Sequence, residues 1–154
     1  MVRKQSQRTA MTNWPNRWME LAFHFASWSK DASRKVGAVI VSDDKRLLSI
    51  GYNGMPSGVN DDKPGRSERP EKYFWYEHAE RNAIFTASSK GTKLEGSTMI
   101  TTMFPCADCA RAIIACGIKN VYSPAPKELG WEESHKVSLE MFNEAEVAVI
   151  FSND

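Results

Sequence analysis

Two short segments far apart in this chain must meet at one point if their chemistry is to be used, and that condition restricts the fold more than any other feature. The first is His78-Ala79-Glu80. The second, beyond residues 81–104, is Pro105-Cys106-Ala107-Asp108-Cys109. Together they offer one imidazole and two thiols, ligand types that suit Zn²⁺, without the fourth ligand that closes a structural site. An open fourth position is what a catalytic zinc needs for water, whose pKa then falls from about 15.7 towards about 7. Glu80 lies two residues from His78, near enough to move protons at that water without being a ligand.

The spacing has a geometric reason. Cys106 and Cys109 are three apart, so on a helix they share one face and can grip one metal. Pro105 suits the position before or at a helix start, where its missing N–H costs nothing. The amides and positive dipole end of that helix would stabilise both thiolates. His78 is expected to open another helix, with Ala79 and Glu80 in its first turn. A redox pair would not require His-x-Glu upstream, and a Cys₄ knuckle would need a second C-x-x-C, whereas the chain has three Cys. Cys116, within Ile113-Ile114-Ala115-Cys116-Gly117, reads as a small buried hydrophobe. His24 and His135 have no Cys neighbours, so one zinc per chain is expected.

At 154 residues, with 42% hydrophobic and 25% charged, the chain reads as one soluble domain over 13–154 behind a flexible polar tail, 1–12. No apolar run approaches the ~18 residues a membrane span needs, and the tail, with Arg3, Lys4 and Arg8, has no apolar core of a secretory signal. A net charge of +1 gives no global attraction to nucleic acid. Two of three Cys in the motif leave no disulfide framework, which points to a reducing, cytoplasmic setting.

Trp14, Trp18, Leu21, Ala22, Phe25 and Trp28 recur at helical spacing, predicting a helix over about 13–28 with this face in the core. Val36 to Val41 reads as a buried central strand, Asp43-Asp44 as a turn and Leu47 to Tyr52 as the returning strand. Residues 53–72, rich in Gly, Pro, Asn and Asp, have no periodicity, and an irregular stretch this long usually serves function or is disordered. Then follow a helix over 78–88, a strand over 98–103, a helix over 106–115, a strand from Val121, a helix over 131–143 and a strand over 145–151. This order implies an α/β fold, a five-stranded mixed sheet between helices in three layers, with both zinc-binding segments at helix N-termini beside the sheet.

H-x-E…P-C-x-x-C resembles the signature of zinc-dependent nucleobase deaminases. Ser29-Lys30-Asp31, Val36-Gly37-Ala38-Val39-Ile40-Val41 and Gly51-Tyr52-Asn53-Gly54-Met55-Pro56-Ser57-Gly58 narrow this: from about Trp18 to Val121 the chain closely resembles deoxycytidylate (dCMP) deaminases. The resemblance implies a cytidine-deaminase-like fold and hydrolysis of dCMP to dUMP and ammonia, supplying thymidylate synthesis, with Glu80 as the proton carrier. It also implies activation by dCTP with Mg²⁺, inhibition by dTTP and a homo-oligomer, with a hexamer favoured. In that frame Asn53 would bind a sugar hydroxyl, Ser29 and Lys30 a monophosphate, and Ala79 the substrate. Backbone amides at Gly54, Met55 and Gly58 would form a nest for the triphosphate of an effector.

There are departures. The additional Cys and His residues that bind a structural zinc in some members are absent, and no Tyr follows Tyr122 in the segment Pro124 to Trp131, where some members place a substrate contact. Trp131 and Phe104 are the aromatic candidates for facing the base. Three other readings stay open. They are deamination of another cytosine nucleotide or nucleoside (dCTP, CMP, cytidine), deamination of adenosine in tRNA, and a non-catalytic zinc or nucleotide-sensing protein. The low net charge and the Gly-Tyr-Asn-Gly-Met-Pro loop weigh against the second, and Glu80 against the third.

Overall fold

The computed structural model describes residues 13–153, so the expected tail lies outside the described residues. Helix α1 (Trp14–Ala26) leads to β1 (Gly37–Val41) and β2 (Leu47–Tyr52). A four-residue helix α2 (Lys72–Trp75) precedes α3 (Ala79–Ser89), β3 (Thr98–Thr101) and α4 (Ala107–Ala115). β4 (Asn120–Ser123), α5 (Glu132–Glu144) and β5 (Ala148–Phe151) complete the order. The sheet runs β2-β1-β3-β4-β5; β1 is antiparallel to β2 and β3, and β3, β4 and β5 are parallel. This is the expected mixed five-stranded sheet in three layers.

The strand period of two sorts the sheet's side chains between two cores. Ala38, Ile40, Met99 and Val121 face α3, α4 and α5, where Ala83, Ala110, Ile113 and Phe142 complete the larger core. Val39, Val41, Ile100 and Tyr122 face α1 and meet Met19 and Ala22. The α1 prediction needs correcting here. Its buried residues are Met19, Ala22 and Ala26, while Trp14, Trp18, Leu21 and Phe25 are half-buried and Trp28 is exposed. The cause is the closeness of helix to sheet: a Cβ on Gly37 would sit 1.9 Å from the Ala22 carbonyl oxygen and 2.6 Å from the Ala26 nitrogen. Only small side chains fit that seam, so the aromatics are displaced to its flanks.

Other elements are trimmed rather than misplaced. α1 stops at Ala26 and β3 at Thr101, and β5, expected from Ala145, starts at Ala148 as an edge strand with Ile150 and Phe151 exposed. The stretch after β2 is irregular as expected, yet tied down at both ends. Gly54 exchanges two backbone hydrogen bonds with Glu77 (3.1 and 2.8 Å). Lys72, which sequence periodicity did not single out, is buried and donates to Asp31 Oδ2 (2.8 Å) and Ser33 Oγ (2.7 Å). This pair staples the irregular segment to the α1–β1 loop.

Two stability outcomes follow from these contacts. Gly37→Ala should lower unfolding free energy by about 1–3 kcal/mol or more, because the added methyl meets helix backbone rather than a movable side chain. Gly54→Ala, with open space at its Cβ, should stay within about 0.5 kcal/mol. Equal urea midpoints for the two variants would refute the close approach.

Lys72→Met leaves the buried Asp31 carboxylate unpaired and should cost about 3–5 kcal/mol at neutral pH, with Asp31→Asn added to it restoring a large part. Burial pushes the Asp31 carboxyl up, but hydrogen bonds from Lys72 and Ser33 outweigh it and hold the group below its ordinary 3.8. Ionised Asp31 therefore contributes stability in full above that ordinary value, and the contribution is lost as pH falls through the lower folded value. The stability gap between wild type and Asp31→Asn should accordingly be flat near neutrality and close only below about pH 3.8; a gap that closes already at pH 6 contradicts the assignment.

Candidate active site

Both ligand-bearing segments end in the same kind of local structure. His78 and Cys106 are the N-cap residues of α3 and α4, each with an extended backbone (ψ 152° and 171°) and neither using its side chain to cap its helix. Pro105 sits one position earlier, where it stops the helix from extending backwards. The side chains thus freed converge: His78 Nδ1 lies 3.3 Å from Cys106 Sγ and 3.5 Å from Cys109 Sγ. All three donor atoms are within 4.8 Å of one another, and no other such His/Cys/Asp/Glu group occurs among the described residues. Cys116 is half-buried against the larger core, away from this group. His135 is buried between Phe104 and Trp131, and His24 is exposed on α1, so neither joins the cluster.

The thiols are polarised. A hydrogen bond from Cys109, with help from His78, pulls the Cys106 thiol down to about 4, while that bond and burial push Cys109 well up. A cation placed beside both sulfurs would favour the thiolate form of each. One imidazole and two thiols within coordination reach of a common point fit a zinc ion with a position left open.

Glu80 enters the same space from the first turn of α3 and is buried. Thr101, at the end of β3, donates to Glu80 Oε1 (3.0 Å), and Cys109 Sγ lies 3.5 Å from Oε2. Burial raises the carboxyl above its ordinary value, against the opposing pull of His78. Thr101 was not anticipated; it is one of three threonines in Thr98-Met99-Ile100-Thr101-Thr102, and the sequence does not single it out from the other two.

A cavity of about 290 Å³ opens onto His78, Ala79, Glu80 and Cys106, with Phe104 and Trp131 in its wall. The Trp131 ring stands edge-on to His78, with centroids 6.0 Å apart. Asn53 also lines it, but its amide is already engaged: Oδ1 accepts from Val36 N (2.8 Å), and Nδ2 donates to Arg34 O (2.8 Å) and Asp31 (3.4 Å). Ser29 and Lys30 are not brought to this cavity. Ser29 is buried and donates to the Asn53 carbonyl (2.8 Å), while Lys30 is exposed, 3.0 and 3.3 Å from Asp61 and Asp62. The cations that do line the cavity are Arg34, Arg69, Lys72 and Arg81. Gly54, Met55 and Gly58 instead line a second cavity, of about 500 Å³, which Asn53 and Tyr76 also touch.

Similarity to known proteins agrees with this arrangement. Residues 12–124 match the cytidine and deoxycytidylate deaminase zinc-binding region. An uncharacterized deaminase from the luxG 3′ region of Aliivibrio fischeri is 42% identical, covering 90% of this chain and 93% of that protein. Human deoxycytidylate deaminase is 38% identical over 92% of this chain and 80% of its own length. The crystal structure of dCMP deaminase from the cyanophage S-TIM5 superposes with a TM-score of 0.73 at 26% identity, over 91% of this chain and 98% of that one. That deaminase has also been crystallised with dCMP and dUMP. With the His/Cys/Cys cluster and the buried carboxylate side by side at the cavity, the sequence match over most of the chain settles its kinship: the chain belongs to the cytidine and deoxycytidylate deaminase zinc-binding family.

Proposed function

We propose that this chain hydrolyses dCMP to dUMP and ammonia. The observation that carries the reading is a cluster of three zinc-type donors, His78 and Cys106 at the cavity wall and Cys109 buried behind them, beside a buried carboxylate that is not needed as a ligand. His78, Cys106 and Cys109 would hold zinc, which as a Lewis acid makes water a nucleophile near neutral pH. Glu80 would take one proton from the attacking water as its oxygen bonds to C4 and deliver it to ring N3, then take the second from the hydroxyl so formed and deliver it to the departing amine. The C4–N bond breaks, and ammonia leaves. Thr101 holds one Glu80 oxygen in place, leaving the other for proton transfer. Trp131 and Phe104 supply apolar wall for the base, and Ala79 lines the cavity beside the ligands. Asn53 Oδ1 keeps a lone pair for a sugar hydroxyl beyond the bond it accepts from Val36. The relatives named for deoxycytidylate support dCMP over other cytosine nucleotides.

The same reading includes regulation by dCTP, carried with Mg²⁺, and by dTTP, in the second cavity. Its support is structural continuity. The cavity is lined by Gly54 to Val59 with Lys30 and Asp61, Gly54 is bonded to Glu77, and Glu77 immediately precedes His78. An effector that moved this loop would therefore pull on the segment carrying the ligands. A homo-oligomer, with a hexamer favoured, would bury apolar side chains now exposed on α5 and β5, namely Val137, Leu139, Ile150 and Phe151.

Purified protein should release ammonia from dCMP in a screen that includes cytidine, CMP, dCDP and dCTP. Glu80→Gln should keep its zinc and lose at least about 10²–10⁴-fold in kcat; retention of activity within tenfold removes Glu80 from the role. Metal analysis of Cys106→Ala should show zinc lost from a protein that otherwise holds one ion per chain.

Regulation is read by titrating dTTP against dCMP turnover. Inhibition reversed by dCTP, shifting apparent affinity by about 5–150-fold and weakened by changes at Gly54–Gly58, is expected. Simple competition by dTTP at the zinc cavity, or no effect of either nucleotide, rejects it.

A further inference from the structure

We infer that Arg34 and Arg69 together form the subsite that receives the substrate's 5′-phosphate, and so make the active cavity select nucleotides over nucleosides. The inference rests on the deaminase reading above and assigns a charge balance that reading leaves unused.

Four cations line the cavity, and two of them are already spoken for. Lys72 Nζ is held by Asp31 (2.8 Å) with both side chains buried, and Arg81 binds Glu77 and, more loosely, Asp108 at 3.8 Å. Of the lining carboxylates, Asp31 is matched by Lys72, Glu77 by Arg81, and Asp108 is shared between Arg81 and Arg111. Glu80 is buried beside the ligand cluster. Two guanidinium groups are left over. That of Arg34 touches only the Met103 sulfur (3.6 Å), and that of Arg69 has no hydrogen-bond or ionic partner among the described residues. Arg66, nearby in sequence, differs: it lies over the Trp75 ring (3.9 Å) and donates to the Asn60 carbonyl.

Both arginines combine a fixed backbone with an unengaged head. The Arg34 amide donates to Asp31 Oδ1 (3.3 Å), and its carbonyl accepts from Asn53 (2.8 Å). Arg69 lies within a turn closed by Lys72 N to Glu68 O (2.8 Å). Two guanidinium groups without an anionic partner at the wall of the cavity match a phosphate dianion, and the planar fork of arginine suits its oxygens. Because the subsite has two members from different loops, it does not show as a local motif.

The test uses zinc-loaded wild type, Arg34→Gln, Arg69→Gln, the double variant, and Lys35→Gln as an exposed charge control. With dCMP, each single variant should raise KM about 10-fold and the double about 100-fold, with kcat within about threefold, since each charge-assisted contact removed is of that size. Turnover of deoxycytidine, which lacks the phosphate, should be unchanged within about twofold across all variants, and Arg34→Lys should recover part of the dCMP loss. Equal losses on dCMP and deoxycytidine, or no loss on dCMP, overturn the inference. Calorimetry with dUMP and deoxyuridine reads the same subsite without turnover. Wild type should prefer dUMP and the double variant should lose that preference, whereas an intact preference in the double variant overturns the inference. Absence of deamination by wild type would instead strike the deaminase reading, leaving the dUMP comparison to decide the arginines.

Discussion

The architecture depends on how closely helix α3 can lie against β2. A Cβ on Gly51 would fall 2.3 Å from the Ala79 carbonyl oxygen and 2.5 Å from the Ala83 nitrogen, so strand and helix touch backbone to backbone. Ser49 donates to the Ala83 carbonyl (2.6 Å) and Asn82 to the Tyr52 carbonyl (2.8 Å), fixing the helix along its length as well as in depth. A glycine in a strand weakens it by about 0.5–1 kcal/mol relative to alanine. Here that loss is offset by seating the first turn of α3, with His78 and Glu80, within reach of the α4 cysteines. On the opposite face Gly37 plays the same part for α1.

This explains which features were legible in the sequence. The ligands were, because His-x-Glu and Cys-x-x-Cys are local patterns whose spacing is set by a single helical turn. The five strands and four of the helices were, because short β-branched runs and helical periodicity are local patterns, clearest in Val36 to Val41, which is buried on both faces. The exposed flanks of α1 were not. Periodicity reports which residues share a face, but not how near the facing surface comes, and the Gly37–Ala22 approach turned an aromatic core into a rim. The short helix at Lys72 was hidden because its defining contact, with Asp31, spans residues with no periodic relation.

The charges in the cavity show the same limit in another form. Ser29 and Lys30 stand beside the α1–β1 connection in sequence, yet Ser29 is turned into the structure by the Asn53 carbonyl and Lys30 outward to Asp61 and Asp62. Which cation is free is a property of pairing across the fold. Lys72 is buried and matched, and its removal would strand a carboxylate. Arg34 and Arg69 are exposed and unmatched, so an anion can recruit them at little cost in desolvation.

Asn53 joins these arguments. Its carbonyl accepts from Ser29, its Oδ1 accepts from the amide of Val36 just before β1, and its Nδ2 fixes the backbone of Arg34, while the residue lines both cavities. The next residue, Gly54, is bonded to Glu77, whose Oε1 accepts from the His78 amide (2.9 Å). In the proposed regulation, a displacement of the Gly54–Gly58 loop would reach the active cavity by two routes: through Asn53 to the backbone of Arg34, and through Glu77 to the N-cap of α3. The first bears on how a substrate is held and the second on how the ligand-bearing helix begins. An occupant of the second cavity could thus change affinity and turnover separately, without any atom of it entering the site where the chemistry is done.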